Sequence, residues 1–153
     1  MTGAPSGTLP GAVLFACNFN RVHSPMAEAL TKLMYGNRIY VDSCGLKPGE
    51  GIDPFACAVI DELGADLSRH NTKSFDDLDE GAFDLVISLT PEAQHRAVEM
   101  ARGRAVEIEY WPTLDPTLAS GSRAAVLEAY RGVRDDLRAR ILARFGRPST
   151  FGG

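Results

Sequence analysis

The chain has 153 residues, a length suited to one domain with a sizeable buried core. Its composition, 44% hydrophobic and 24% charged, excludes disorder or a collagen-like repeat for the bulk of the chain. A formal net charge of −4 argues against a non-specific nucleic-acid binder, which needs many phosphate-neutralising cations.

Residues 1–11 are rich in Gly, Pro, Ser and Thr and read as a flexible lead; 146–153 read as a flexible tail for the same reason. The domain is expected to run over 12–145. Residues 12–16 (AVLFA) form a short continuous apolar run, the pattern of a buried strand. That run is too short for a membrane span or a signal-peptide core, and no Lys or Arg precedes it. Ser24-Pro25 then offers an N-cap followed by proline at the first helical position. Met26, Leu30, Leu33 and Met34 recur at helical spacing up to Gly36. A second strand is expected over 39–43. Asp53-Pro54 starts a helix that Gly64 stops. The third strand is expected over 83–89, with a helix from Thr90-Pro91 to about Gly103, and the fourth strand over 105–110. After a loop with Pro112 and Pro116, one amphipathic helix of about twenty residues carries Val126, Tyr130, Val133, Leu137, Ile141 and Phe145 inward.

The order βαβαβαβα predicts an α/β fold: a single four-stranded parallel sheet with helices on both faces, flavodoxin-like. Ligands of such sheets bind beyond the carboxyl ends of the strands. This directs attention to the segment from Cys17 to Ser24. A thiol between a strand end and a helix N-terminus faces backbone N–H groups and the positive end of a helix dipole, which stabilise a thiolate and an anion beside it. Such a thiolate is a nucleophile aimed at phosphorus. Position alone serves equally a small buried cysteine. The cysteines Cys17, Cys44 and Cys57 are odd in number and contain no CxxC pair, which reads as a cytoplasmic protein with reduced thiols. His23, His70 and His95 show no metal-ligand spacing, and nothing in the sequence calls for a metal or a cofactor.

The stretch VLFACNFNRVHSPMAEAL resembles the signature of the low-molecular-weight protein tyrosine phosphatases, a Cys, five residues, an Arg, Ser or Thr and usually Pro. The resemblance extends through Val41-Asp42-Ser43, through Gly64-Ala65-Asp66-Leu67-Ser68-Arg69-His70, through Phe83-Asp84-Leu85-Val86-Ile87, and to Asp115-Pro116. It implies that Cys17 attacks phosphorus and forms a phosphocysteine. It implies that Asp115 protonates the leaving group and then activates water. The loop Asn18, Phe19, Asn20, Arg21, Val22, His23 and Ser24 would hold the phosphoryl group or an inorganic oxyanion, with Ser24 stabilising the thiolate. Asn20, Ser43 and His70 would brace the loop, and Asp84 would support its strand. The implied partners are a phosphorylated protein or a small aryl phosphate, with no nucleic acid or membrane.

The sequence departs from the family at position 23, where His23 stands in place of the loop arginine. An imidazole offers one donor per nitrogen and is only partly protonated near neutrality, so the phosphate clamp is expected to be weaker. Two readings follow: a slowed phosphomonoester hydrolase favoured in mild acid, or a phosphate- or phosphoprotein-binding pseudophosphatase. Arg21 is expected at the pocket mouth. Thr117 and Leu118 follow Asp115-Pro116 where the family commonly has aromatics, leaving Phe19, Tyr110 or Trp111 to grip an aryl group. The related arsenate reductases need further cysteines after the third strand, and residues 88–102 contain none.

Overall fold

A computed structural model describes residues 9–148. Four strands, β1 (Ala12–Cys17), β2 (Tyr40–Gly45), β3 (Leu85–Ser88) and β4 (Glu107–Tyr110), alternate with α1 (His23–Tyr35), α2 (Pro54–Asp61), α3 (Pro91–Met100) and α4 (Arg123–Phe145). The sheet is parallel in the order β2-β1-β3-β4. The chain leaves β1 to one side and returns to β3 on the other, so the order reverses beside β1. The loops after β1 and β3 therefore open the crevice in which such folds bind ligands.

Alternation along β1 divides the core. Val13, Phe15 and Cys17 face α1, α2 and α4, where Met26, Leu30, Val59, Ile60, Leu137 and Ile141 close the larger layer. Leu14 and Ala16 face α3 and pack with Val86, Ala93, Ala97 and Met100. Each fully buried Leu, Ile or Phe contributes roughly 1.5–3 kcal/mol, so these two layers hold the strand ends in place.

The expected caps of two helices are present, Asp53 and Thr90, and Ser122 caps a third. Asp53 accepts from the N–H groups of Phe55 and Ala56, Thr90 from Ala93, and Ser122 from Ala125. Ser24 departs from expectation. The cap of α1 is Val22, with no side-chain hydrogen bond, and Ser24 lies inside the first turn. Its hydroxyl is taken by partners in the site described below. Other bounds shift by a few residues: β2 and β1 each run to the loop they feed, β3 begins after Asp84, and α3 stops at Met100. Asp84 lies just outside β3, where its carboxylate accepts from the Ala12 N–H at 2.9 Å. The segment between α2 and β3 forms two 3-10 turns, Phe75–Asp77 and Glu80–Ala82.

At the ends of the domain, the Gly11 carbonyl accepts from Tyr40 N–H and the Gly146 carbonyl from the Tyr35 hydroxyl. The remainder of the expected flexible ends, residues 1–8 and 149–153, lies outside the described residues. Among the described residues no helix is long and apolar enough to cross a membrane, and no group of three His, Cys, Asp or Glu side chains is placed to hold a metal ion.

Candidate active site

The loop between β1 and α1 turns its carbonyls away from its own centre. Those of Cys17, Asn18, Phe19 and Arg21 accept from the N–H groups of Leu46, Lys47, Gly49 and Asp53. No N–H from 18 to 24 donates to a protein acceptor among the described residues. The loop is thus a concave row of free donors at a helix N-terminus, the arrangement that binds a tetrahedral anion. Gly45 makes the close approach possible: a Cβ there would meet the Asn20 nitrogen at 2.7 Å.

Asn20 is the pivot. Its φ of 57° lies in the left-handed region, and it is the one non-glycine residue there among those described. All of its side-chain hydrogen-bonding capacity is used. Nδ2 donates to Ser24 Oγ at 2.9 Å and to Ser43 Oγ at 3.0 Å. Oδ1 accepts from His70 Nε2 at 2.9 Å and from the Lys73 N–H at 3.0 Å. Ser43 Oγ in turn donates to Glu28 Oε1 at 2.6 Å, and Glu28 is paired with Lys32. These groups are buried or half-buried, and a buried polar network with every member satisfied rigidifies its surroundings. Burial holds the His70 pKa below the ordinary imidazole value.

Cys17 lies at the floor of this network. Its Sγ is 2.9 Å from Ser24 Oγ, and the residue is almost fully buried. Ser24 has one proton and two acceptors within reach, Cys17 Sγ and the Cys44 carbonyl at 3.2 Å. With a thiol, the S–H can donate to Ser24 while Ser24 donates to Cys44. With a thiolate, the hydroxyl turns to sulfur and stabilises the negative charge. Asn20 serves either state, because it donates to the Ser24 oxygen in both.

His23 sits at the first turn of α1, and its Nε2 is 2.7 Å from the carbonyl oxygen of Leu114. A carbonyl only accepts, so Nε2 carries a proton and the ring bridges the nucleophile loop to the residue before Asp115. Burial is the main influence on its pKa and lowers it, partly opposed by the Leu114 hydrogen bond and by the Asp115 charge. The imidazole is therefore neutral near neutral pH, with Nδ1 unprotonated. The partial protonation expected of His23 near neutrality is thus reduced by burial, and acid or a bound anion favours the charged ring.

Asp115 is exposed and caps a 3-10 turn, Pro116–Leu118. Its Oδ1 accepts from the Thr117 N–H and hydroxyl, while Oδ2 has no protein partner among the described residues. Cys17, Phe19, Arg21, His23, Thr90 and Asp115 all line one cleft of about 380 Å³. The structure thus brings Cys17, His23, Ser24 and Asp115 together, with Asn20, Ser43 and His70 behind them. Val22 lines the same cleft. Of the aromatic candidates, Phe19 lines it, whereas Trp111 packs against Phe15 in the core. Arg21 Nε donates to the Gly51 carbonyl at 2.6 Å, which holds the side chain at the wall rather than over Cys17.

Three contributors were not singled out in the sequence. Glu28 closes the network, Thr90 donates to Asn18 Oδ1 at 2.7 Å, and the Leu114 carbonyl anchors His23. None of the three carried a signal of its own: by helical spacing Glu28 falls on the face opposite Met26, Leu30 and Leu33.

The family model of low molecular weight phosphotyrosine protein phosphatases matches residues 12–143. The chain belongs to this family. Among relatives, the glutaredoxin arsenate reductase of Synechocystis is 30% identical over 84% of this chain and 92% of its own length. An arsenate reductase solved in its phosphate-binding state is 30% identical, with a TM-score of 0.73, over 86% of this chain and 93% of that one. The low molecular weight protein tyrosine phosphatase of T. tengcongensis is 27% identical, with a TM-score of 0.70, over 86% and 95%. The family thus holds both cysteine-dependent phosphatases and arsenate reductases, and supports an enzyme here.

Within that family frame the other two thiols are poorly suited to redox relay. Cys44 is buried with its thiol pKa pushed far up, and Cys57 on α2 is pushed up as well, in both cases chiefly by burial. All three cysteines are free.

Proposed function

We propose that this protein hydrolyses phosphomonoesters through a phosphocysteine at Cys17. One observation carries the reading: a buried thiol 2.9 Å from a serine hydroxyl, beneath a row of unpaired backbone donors, in the same cleft as a carboxylate with one free oxygen. The phosphoryl group sits in the loop with its oxygens on the backbone N–H groups. Cys17 Sγ attacks phosphorus, the ester P–O bond breaks, and Asp115 gives its proton to the departing oxygen. Asp115, now a carboxylate, takes a proton from water as that water attacks phosphorus. The P–S bond breaks, and Ser24 donates to the leaving thiolate.

His23 supports binding less than a guanidinium would. It becomes a second N–H donor to the phosphoryl oxygens only when Nδ1 is protonated, and a bound dianion raises that tendency. Turnover is therefore slower than with arginine and favoured by acid. Substrates in this reading are a phosphorylated protein or an aryl phosphate.

Arsenate reduction is the second reading, favoured by the names of the 30% identical relatives. It needs two electrons from thiols after arsenate binds Cys17, and the burial of Cys44 and the raised thiol pKa of half-buried Cys57 weigh against an internal relay. The test is hydrolysis of an aryl phosphate from pH 4.5 to 8, run beside arsenite formation from arsenate with glutathione or thioredoxin as reductant. Phosphate release that is lost in Cys17→Ser supports the hydrolase. Arsenite formation without phosphate release supports the reductase. Loop binding of phosphate with neither product makes the protein a phosphate-binding pseudophosphatase.

A further inference from the structure

Arg21 carries a charge that the loop's own hydrogen bonds do not use. Its Nε is fixed on the Gly51 carbonyl, and its stem lies against Gly49, where an added Cβ would collide with Cγ and Cδ. These two contacts set the direction of the guanidinium. Among the described residues neither Nη hydrogen-bonds to a protein group, and no carboxylate lies within ion-pair distance of it. The side chain lines the cleft that Cys17 and Asp115 share.

A planar fork with free donors, held by its inner nitrogen, is suited to receive a second anionic group. The surroundings suit a peptide. Phe19 lines the cleft and is 54% exposed; Leu114 and Leu118, at 82% and 80% exposed, are the chain neighbours of the cleft-lining Asp115 and Thr117. We propose that Arg21 forms a second anion subsite, which selects phosphopeptides carrying an acidic side chain beside the phosphorylated residue. The phosphoryl group occupies the loop over Cys17, the neighbouring carboxylate meets the Arg21 fork, and apolar peptide side chains lie on the Phe19 and Leu114 edges. This deepens the phosphomonoester reading and rests on it.

The experiment uses phosphotyrosine peptide pairs that differ only in Glu or Gln, placed immediately before or after the phosphotyrosine. Hydrolysis by the full chain is measured at low and high salt, and binding to the Cys17→Ser chain by fluorescence anisotropy. On at least one side the Glu peptide should be preferred about fivefold to tenfold in kcat/KM and in affinity, the size of a charge-assisted contact at a half-open site. The preference should shrink with ionic strength, vanish in Arg21→Gln, and survive in part in Arg21→Lys. A ratio near one on both sides at low salt overturns the subsite, as does a ratio unchanged in Arg21→Gln. Hydrolysis without preference removes the subsite and leaves the hydrolase. A Glu preference in binding, with no peptide hydrolysed, removes the hydrolase and leaves the subsite.

Discussion

The Asn20 side chain uses all of its hydrogen-bonding groups inside the protein, whereas Asp115 uses one carboxylate oxygen on its own turn and leaves the other open. The two loops that meet in the cleft are built on opposite plans. The nucleophile loop is buried at Cys17, Asn20 and Ser24, its carbonyls are tied to 46–53, and one residue in a left-handed conformation is held by four partners. The acid loop is exposed and held mainly by local contacts. The difference follows from their tasks in the proposed reaction. Donors that stabilise charge must be in place before the reaction begins. An acid must reach leaving oxygens on substrates of varied shape. The His23–Leu114 hydrogen bond joins the two plans.

Substitutions can break this contrast. Cys17→Ser removes the nucleophile and should lower phosphate release by about 10⁴-fold or more, with the fold intact by circular dichroism. Asp115→Asn should lower kcat by about 10²–10³-fold for poor leaving groups and far less for nitrophenolate, which needs no proton. Its melting temperature should stay near that of the parent, because the side chain is exposed. His23→Arg should raise kcat/KM, by up to about 10²-fold near neutral pH. The parent's kcat/KM should climb as pH falls through the lowered imidazole range, since only the protonated ring donates from Nδ1. The arginine variant should lose that component of the profile.

Asn20→Ala sharpens the contrast through stability. It strands the Ser24, Ser43 and His70 groups and puts alanine at positive φ, at a cost of about 2–4 kcal/mol. The melting temperature should fall by about 5–15 °C, against almost no change for Asp115→Asn, which can still cap its turn. The smallest effect is acid sensitivity. His23 and His70 both have pKa values lowered by burial, so between those values and the unfolded value near 6.5 the unfolded chain binds more protons. Stability should therefore decline as pH drops below about 6.5, and His70→Gln should remove part of the decline.

Much of this was legible in the sequence. The strand and helix order follows from short apolar runs alternating with 3.6-residue spacing, and Asp53 and Thr90 announce their helices. Cys17, Asn20, Ser24, Ser43, His70 and Asp115 were picked out through the family resemblance, and they share one end of the sheet. Ser24 was misread as a cap because Ser-Pro has the same local signature whether the hydroxyl meets a backbone N–H or a cysteine sulfur. The outward turn of the loop carbonyls was illegible, since it depends on pairing with 46–53 across the sheet edge. So was the Leu114 anchor of His23, made by a backbone atom from a loop 91 positions away. A missing charge at position 23 could be read from residue type. Its burial, which keeps the ring neutral, could not.

The most direct test of the account is to trap the intermediate. Asp115→Asn should slow hydrolysis of the phosphocysteine while p-nitrophenyl phosphate, with its good leaving group, still loads the enzyme. Acid quench during turnover, followed by proteolysis and mass spectrometry, should find one phosphoryl group on the peptide containing Cys17, absent from Cys17→Ser. Phosphate release with no adduct on Cys17, or with an adduct on another residue, would contradict the account.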